Sequence, residues 1–282
     1  MLEKNEIKRQ SVFFEVFKSE KDYVNDLELV KEVCLDSFFL KIAVLTSEPS
    51  QVFIGGLLRA NPPIISPNLL DSFISEVFGN INYISRHHHR MLAALFSRQR
   101  EQHPLVQSVT DVILDSQFDI PNVFLRDAEI YEPAALVFRS DYETYIKSYP
   151  LAEGRHRSEL KKNPKYREWL RKCYQDPRVR KRDLVTFISR PVTRLPRLSM
   201  LLQAILKLTD SRHPDKELLP LLISILGDFV KSTQPGIAAA EGKVKFWNLC
   251  ESLVYVKGEI VVCHICAVRV STMLICPGYG PL

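Results

Sequence analysis

The sequence predicts an all-α protein, an elongated bundle of long helices that ends in a short C-terminal tail of β-strand character. Apolar residues recur at helical spacing over stretches of up to thirty residues. Only ten of the 282 residues are glycine, and no phosphate-loop or dinucleotide fingerprint occurs. Because many-turned β folds and nucleotide cradles both use glycine, its scarcity favours helices. The composition, 46% hydrophobic and 25% charged, excludes disordered and collagen-like chains.

The first helix is predicted from residue 8 to about residue 40. Its apolar stripe is formed by Phe13, Val16, Phe17, Val24, Leu27, Cys34 and Phe38. Two acidic residues occupy different faces of this helix. Glu20 lies on the apolar stripe, so we expect it to be partly buried with a partner. Glu15 points almost opposite the stripe, toward solvent.

A second helix is predicted to begin at Ser66-Pro67 and to continue unbroken through Phe96. His103-Pro104 stops it. Two further helical patterns follow, one over residues 105–114 and one from Tyr131 that Pro150 is expected to close. Helices of this length indicate an elongated bundle rather than an α/β domain.

The segment 155–182 is strongly basic, with twelve Lys and Arg residues against three acidic ones. Such a cluster raises the possibility of nucleic-acid or anionic-lipid binding. Asn163 and Pro164 form a helix start, and apolar residues then recur at helical spacing. We therefore interpret the segment as an amphipathic helix with a solvated basic face, since no zinc finger or RNA-recognition motif accompanies it.

The next helical run extends from Leu184 to Leu208 and contains Pro191 and Pro196, which should bend it. If helical geometry persists, Arg190, Arg194 and Arg197 share one face by their i, i+4, i+7 spacing. Pro220 is expected to open another helix, which continues from Glu241 to about Tyr255. From residue 260 to 270 the chain is apolar and β-branched, which favours a strand.

Two clusters invite a metal-binding interpretation, and neither supports it well. His87, His88 and His89 are consecutive, so on a helix they cannot converge on one ion. His88 lies on the apolar stripe and is expected to pack there. The cysteines and histidine at positions 263–266, with Cys276, lack the two ligand pairs of a structural zinc site. No hydrolase elbow or zinc-protease motif occurs, which disfavours covalent or metal-dependent catalysis.

The first ten residues are polar and charged, unlike a secretory signal. We therefore expect a cytoplasmic protein whose six cysteines are free thiols. The most apolar run, 261–276, is interrupted by His264 and Arg269 and is too short to span a membrane.

Two segments about 180 residues apart carry a family resemblance. Residues 8–24, KRQSVFFEVFKSEKDYV, and residues 184–209, around RPVTRLPRL, resemble the first and third conserved regions of the Dbl-homology (DH) domain of Rho-family guanine nucleotide exchange factors. Residues 77–81 and the helix after them resemble the second. The wording of the third region is most like fungal members.

The resemblance implies a DH domain over residues 8–240. Residues 241–260 would form a helical extension and the start of a pleckstrin-homology (PH) domain. Residues 261–282 do not resemble the family, so that domain is expected to be missing or truncated.

The resemblance also implies a function: binding a Rho-family GTPase in its GDP-bound and nucleotide-free forms, displacing Mg²⁺ and releasing GDP so that GTP can load. No bond is made or broken, so we expect no covalent enzyme chemistry and no cofactor. The implied GTPase-binding residues are Glu15, Arg194, Arg197 and Gln234. The implied structural core includes Glu20, Tyr23, Pro191, Leu201 and Leu202.

Within this resemblance, Glu15 would engage switch I of the GTPase and Arg197 would face switch II. Gln234 stands where many relatives carry asparagine. Two alternatives stay open: an inactive scaffold that binds a GTPase or lipid without exchange, and nucleic-acid binding through 155–182, which we do not expect. An anionic membrane surface is a further expected partner of that segment, which would place the protein peripherally at the plasma membrane.

Overall fold

The computed structural model describes residues 3–30, 53–118 and 134–252. Within these ranges all regular secondary structure is helical. The chain divides into two compact units, Met1–Val244 and Lys245–Leu282. In the second unit, the described residues are 245–252, the C-terminal end of the last helix.

The described α-helices, in chain order, are α1 (Lys4–Val30), α2 (Ile54–Leu58), α3 (Pro67–Phe78), α4 (Ile81–Glu101), α5 (Thr110–Phe118), α6 (Ala134–Lys162), α7 (Pro164–Cys173), α8 (Leu184–Leu208) and α9 (Asp215–Ser252). A short 3₁₀ turn, Pro177–Val179, connects α7 to α8. The all-helical prediction is therefore confirmed for the described residues. The predicted strand over residues 260–270 and the tail 261–282 lie outside them. So do the extension of the first helix beyond residue 30 and the cysteines Cys263, Cys266 and Cys276.

Helix starts follow the capping residues of the sequence. The Asn163 side chain accepts a hydrogen bond from the backbone N–H of Tyr166, and Pro164 occupies the first turn of α7. Asp183 caps α8 in the same way through the backbone N–H of Thr186. The predicted amphipathic helix after Asn163 is confirmed, since Tyr166, Leu170 and Cys173 are buried on one side of it.

The prediction of one continuous second helix is wrong, because the structure has two helices over this range, α3 and α4. Gly79, between α3 and α4, has φ +54° and ψ −141°, a conformation that residues with a side chain rarely adopt. The apolar stripe continues across this break, with Phe78 and Ile81 both buried. Periodicity alone therefore could not show the interruption.

Three other predicted helix boundaries are wrong, and two of them were based on proline. Pro150 lies inside α6, which continues to Lys162, and Pro220 lies inside α9, which begins at Asp215. The helix predicted over 105–114 begins only at Thr110. A proline costs one helical hydrogen bond, and buried residues on both sides of Pro150, such as Tyr145 and Ala152, offset that cost.

The core of the first unit is formed where α1 packs against α8 and α4, and where α6 packs against α3, α5 and α8. The α1 stripe contributes Phe13, Val16, Phe17, Val24 and Leu27, all buried as predicted. Burying one such side chain stabilises the folded state by about 1.5–3 kcal/mol. This packing holds α1 and α8 side by side, and the charged residues between them form the candidate site.

Candidate functional site

A ladder of ion pairs joins α1 to α8. Arg190 pairs with Asp26 at 2.8 Å, Arg194 with Glu20 at 2.5 Å and Arg197 with Glu15 at 2.9 Å. The arginine numbers rise as the acid numbers fall, so the two helices run antiparallel. The prediction that the three arginines share one face of an uninterrupted helix is confirmed, although Pro191 and Pro196 both lie within it.

The three rungs differ in exposure. The middle rung is buried, with 3% of the Arg194 side chain and none of the Glu20 side chain exposed. At the Asp26 rung the carboxylate is also held by Arg182, whose two terminal nitrogens donate to its two oxygens. The Glu15–Arg197 rung is the exposed one, with 41% and 56% of the side chains accessible. The middle rung is thus the most deeply buried, and the Glu15–Arg197 rung at one end is the most accessible.

The middle rung belongs to a buried hydrogen-bonded network that reaches two other helices. His88 on α4 lies between Glu20 and Tyr142 of α6, with its Nδ1 2.6 Å from the Glu20 carboxylate and its Nε2 2.5 Å from the tyrosine hydroxyl. The Tyr23 hydroxyl lies 3.2 Å from that of Tyr142. Both ring nitrogens of His88 are therefore engaged, which confirms its predicted packing role.

Burial and charge act oppositely on this network. Burial by itself would raise the pKa of Glu20, but the charges of His88 and Arg194 and their hydrogen bonds outweigh burial and lower the pKa. Burial lowers the pKa of His88, against the attraction of Glu20. We therefore assign an ionised Glu20 and a neutral His88 near pH 7. Nδ1–H then donates to Glu20, and Nε2 accepts from the Tyr142 hydroxyl.

The exposed rung lies in a groove of about 260 Å³ between α1 and α8. Lys18, Asp22 and Thr193 line the groove together with Glu15 and Arg197. Glu15 thus points away from the apolar stripe, as predicted, and is accessible to a partner. Its carboxylate accepts a hydrogen bond from Arg197 Nη2, so two of the four predicted partner-binding residues meet each other at this surface.

Gln234, another of the four predicted partner-binding residues, lies on α9 and is exposed. Its amide nitrogen lies 3.5 Å from the carbonyl oxygen of Val230 in its own helix. Among the residues that the structure describes, it makes no hydrogen bond with Glu15 or Arg197. Gln234 therefore offers a separate polar contact point.

Arg194 differs from its predicted role. We expected it at the partner-binding surface, but it is 4% exposed and its guanidinium donates to Glu20 and Ser19. A guanidinium held in this way supports the groove from beneath. The periodic spacing identified the correct face of α8 but not the depth of each arginine along it.

The predicted structural residues lie in the interior with one difference of degree. Glu20, Tyr23, Pro191 and Leu202 are buried, whereas Leu201 is half-buried and packs on the edge of the core. Glu20 was expected to be partly buried with one partner and is fully buried with two.

Sequence reasoning missed Tyr142 and Asp26 as members of the ladder and its network. Tyr142 was identified only as a residue of an apolar stripe. The available signal was the occurrence of Glu20 and His88, both polar, on apolar stripes of two different helices, since buried polar groups need partners.

Ion pairs neutralise part of the charge of the basic segment 155–182. Within the segment Arg155 pairs with Glu159, Arg171 with Glu168 and Arg178 with Asp176, and Arg157 pairs with Glu153 just before it. Arg155 also pairs with Glu76 of α3, and Arg182 pairs with Asp26 of α1. Lys161, Lys165, Arg180 and Lys181 are exposed and have no ion pair with any described residue. None of the described helices combines the length and apolar character needed to cross a membrane.

A known family model matches most of the chain. Residues 12–234 match the model of the RhoGEF domain. The matched range contains Glu15, the ladder of ion pairs, and Gln234 as its last residue.

Curated relatives include two fungal proteins. The chain is similar to "Rho1 guanine nucleotide exchange factor 3" of Schizosaccharomyces pombe, with 31% identity over 219 residues, covering 77% of this chain and 14% of that protein. It is also similar to "RHO1 GDP-GTP exchange protein 2" of Saccharomyces cerevisiae, with 27% identity over 247 residues, covering 86% and 15%. The chain thus spans about one seventh of the length of these relatives.

Among solved structures, the fold resembles that of PDZ-RhoGEF DH/PH domains in a complex with GTP-gamma-S activated RhoA. The TM-score is 0.66 at 18% identity, covering 85% of this chain and 56% of that one. The DH/PH domains of p115-RhoGEF give a TM-score of 0.62 at 20% identity, with coverage of 85% and 54%. At these identities the likeness concerns the fold.

Proposed function

This chain belongs to the RhoGEF domain family, and we propose that it is a guanine nucleotide exchange factor that acts on a Rho-family GTPase through the groove between α1 and α8. The observation that carries this proposal is the exposed Glu15–Arg197 rung. An accessible carboxylate and an accessible guanidinium lie side by side there, and the buried Glu20–Arg194 rung beneath them sets the spacing of the two helices.

The chemistry requires no reactive group on this chain. A GTPase holds its nucleotide and Mg²⁺ tightly, and an exchange factor accelerates release by binding the nucleotide-free form better than the loaded form. Glu15 would hold switch I away from the Mg²⁺ site, and Arg197 would contact switch II. GDP would then leave, and GTP would displace the exchange factor.

When a GTPase binds, Glu15 and Arg197 must release each other and form new contacts with groups of the GTPase. In the free protein each side chain satisfies the other at 2.9 Å, at a surface where such a pair contributes about 0–1 kcal/mol. A GTPase can therefore replace this hydrogen bond with its own groups at small cost. The pair keeps both side chains oriented into the groove before the partner arrives.

The relatives indicate which GTPase to test first, and Gln234 indicates a further contact with it. The fungal relatives named above are described as exchange factors for Rho1, so a Rho1-type GTPase is the first candidate substrate. Gln234 would add a contact to switch II from α9. Its amide has the same donors and acceptor as asparagine on a stem one methylene longer.

Release of a fluorescent guanine nucleotide from a panel of Rho-family GTPases tests the proposal. We expect the full chain to accelerate release from at least one member and Glu15→Ala to abolish most of the acceleration. Glu168→Ala is the matched control, because Glu168 is also an exposed glutamate paired with an arginine, Arg171, but lies on α7. If the folded chain accelerates release from no member of the panel, the exchange proposal fails and a scaffold role becomes the better reading.

A second proposal concerns location: the protein is cytoplasmic and contacts anionic membrane surfaces through the basic segment. The exposed lysines without ion pairs, Lys161, Lys165 and Lys181, support it. Arg180 and Lys181 both adopt positive φ, 53° and 58°, at the turn that precedes α8. Such a conformation is costly for residues with side chains and is often retained at functional positions.

A further inference from the structure

The solvent-facing side of α4 carries an unbalanced positive charge. Six residues on this side follow one another at intervals of three and four residues and so form a single stripe along the helix. We call this the α4 basic stripe; its members are the exposed residues Tyr83, Arg86, Arg90, Ala93 and Arg100 and the half-buried Ser97. From Tyr83 to Arg100 it is about 26 Å long, at 1.5 Å per residue. One acid, Glu101, lies beside its C-terminal end, where it accepts a hydrogen bond from Ser97 at 2.9 Å and pairs with Arg98 on the flank.

Basic residues that flank the stripe are paired with acids from the neighbouring helices. On one side His87 contacts Asp141 of α6 at 2.8 Å, and Arg98 pairs with Asp111 of α5 at 2.6 Å. On the other side His89 contacts Glu28 of α1 at 2.5 Å. Asp141, Asp111 and Glu28 are thus engaged by residues that flank the stripe.

The arginines of the stripe itself have no such partners. Arg86 lies over the ring of Tyr83, with its guanidinium carbon 5.3 Å from the ring centroid. Arg90 and Arg100 are exposed and form no ion pair or hydrogen bond with any residue in the described part of the chain. Tyr83 is 51% exposed, although a tyrosine ring is largely apolar. Three guanidiniums and one aromatic ring are therefore presented together.

We propose that the α4 basic stripe is a docking surface for an acidic helical segment of another protein. Arginine and tyrosine are enriched at protein interfaces, whereas lysine is depleted there, and the stripe contains three arginines and no lysine. The guanidinium fork binds carboxylates with two parallel hydrogen bonds. Between Arg90 and Arg100 the stripe carries only the small residues Ala93 and Ser97, so the backbone of a partner helix can approach closely there.

The basic segment 155–182 has a different composition from the stripe, because its unpaired charged residues are mostly lysines. That composition suits the diffuse negative charge of a membrane, while the stripe suits discrete carboxylates. The two surfaces can therefore be separated by experiment. The docking proposal is also independent of nucleotide exchange, since the stripe lies outside the α1–α8 groove.

The probe is a fluorescein-labelled helical peptide of about 20 residues, ~30 Å long, with glutamates at i, i+4, i+7 and i+11 on one face. We expect the full chain to bind it, as measured by fluorescence anisotropy at physiological salt. The triple variant R86Q/R90Q/R100Q should weaken binding by at least about tenfold, because three charge-assisted contacts are lost. All three side chains are exposed, so the variant should keep its helical content and thermal stability.

The matched control is K161Q/K165Q/K181Q, which removes the same charge from the other basic surface. It should leave peptide affinity unchanged. Vesicles of phosphatidylcholine and phosphatidylserine, mixed three to one, serve as the second probe, and the α4 variant should still bind them. The proposal is overturned if the wild-type chain does not bind the peptide, if both triple variants lose affinity equally, or if a peptide with scrambled glutamate positions binds as well. If the α4 variant lost vesicle binding but kept its affinity for the peptide, the stripe would be a membrane-binding surface instead.

Discussion

Arg194 Nη2 lies 2.5 Å from Glu20 Oε2 in the protein interior, whereas the chemically identical pair one turn further along α8, Arg197 and Glu15, lies at the surface. The buried pair is completed by His88 and Ser19, which satisfy the second carboxylate oxygen and the second guanidinium nitrogen. Two neighbouring ion pairs of the ladder are thus expected to have different roles. The buried rung stabilises the fold, and the exposed rung is available to a partner.

Removing the buried arginine should destabilise the protein far more than removing the exposed one. Arg194→Ala leaves Glu20 charged and without its permanent counter-charge in the core, which costs about 3–5 kcal/mol. Arg197→Ala breaks a surface pair worth about 0–1 kcal/mol. Urea unfolding followed by circular dichroism measures both. Equal losses for the two variants would mean that burial does not distinguish the rungs.

The stability of the fold should fall as the pH drops below about 6.5, the ordinary pKa of histidine. Burial lowers the pKa of both His88 and His156 in the folded state, so the unfolded chain binds protons first. Each histidine then removes up to about 1.4 kcal/mol of stability per pH unit below that point. The pKa of Glu20 is also lowered, which adds a further loss as the pH falls below the ordinary value of 4.5 and through the lowered pKa.

The test of this pH dependence is the free energy of unfolding between pH 5 and pH 8 for the wild type and for His88→Gln. The variant should be less stable at pH 8 because it loses the network, yet its stability should depend less on pH. A wild-type protein that becomes more stable on acidification over this range would contradict the assignment of a neutral His88.

Two glycines should respond oppositely to the same substitution. Gly79→Ala places a side chain at φ +54°, ψ −141°, and should cost about 1–3 kcal/mol. Gly227→Ala lies within α9 with no atom within 4 Å of the added methyl group, and should stabilise the protein by about 0.5–1 kcal/mol. Thermal unfolding of the two variants is the measurement. A stabilising Gly79→Ala would show that α3 and α4 can form one continuous helix.

Measurements of exchange activity should distinguish the contribution of Arg197 in the groove from that of Gln234 on α9. Arg197→Ala should lower kcat/KM for nucleotide release by about 10- to 100-fold, corresponding to a charge-assisted contact of about 1.5–3 kcal/mol. Gln234→Ala should also lower it, and Gln234→Asn should restore most of the activity because the amide is kept. If the asparagine variant behaves like the alanine variant, the contact depends on stem length, or Gln234 acts only on folding, which its thermal stability would reveal.

Membrane contact by the basic segment should depend on charge and on salt. Sedimentation with vesicles containing phosphatidylserine should fall by at least about tenfold for K161Q/K165Q/K181Q, because each lysine near such a surface contributes about 1 kcal/mol. Raising the salt concentration should have the same effect on the wild type, since screening shortens the range of these interactions. Binding that resists salt, or that needs no anionic lipid, would contradict the proposal.

The sequence by itself determined the helical class and the faces of the helices. Apolar periodicity placed Phe13, Val16 and Phe17 in the core, and the spacing of Arg190, Arg194 and Arg197 placed them on one face. It also placed Glu15 away from the core, independently of the family resemblance. These features are local, because helical geometry follows from the order of residues within a few turns.

The sequence was misleading where a local signal competes with packing. Pro150 and Pro220 were interpreted as boundaries, since proline removes a helical hydrogen bond, yet buried neighbours keep both within long helices. Gly79 was passed over because the apolar stripe continues across it. In both cases the outcome depends on contacts from distant parts of the chain, which a short window of sequence does not contain.

Only the tertiary structure decided which charged residues meet and how deeply they lie. Glu20 pairs with Arg194, 174 positions away in the sequence, and with His88, 68 positions away. Arg197 pairs with Glu15 at a sequence separation of 182. The energy of an ion pair depends on separation and on local dielectric, and both are set by the packing of whole helices against one another. The sequence therefore determined which face of each helix carries its charges, and the packing of α1 against α8 decided that Arg194 is internal and Arg197 accessible.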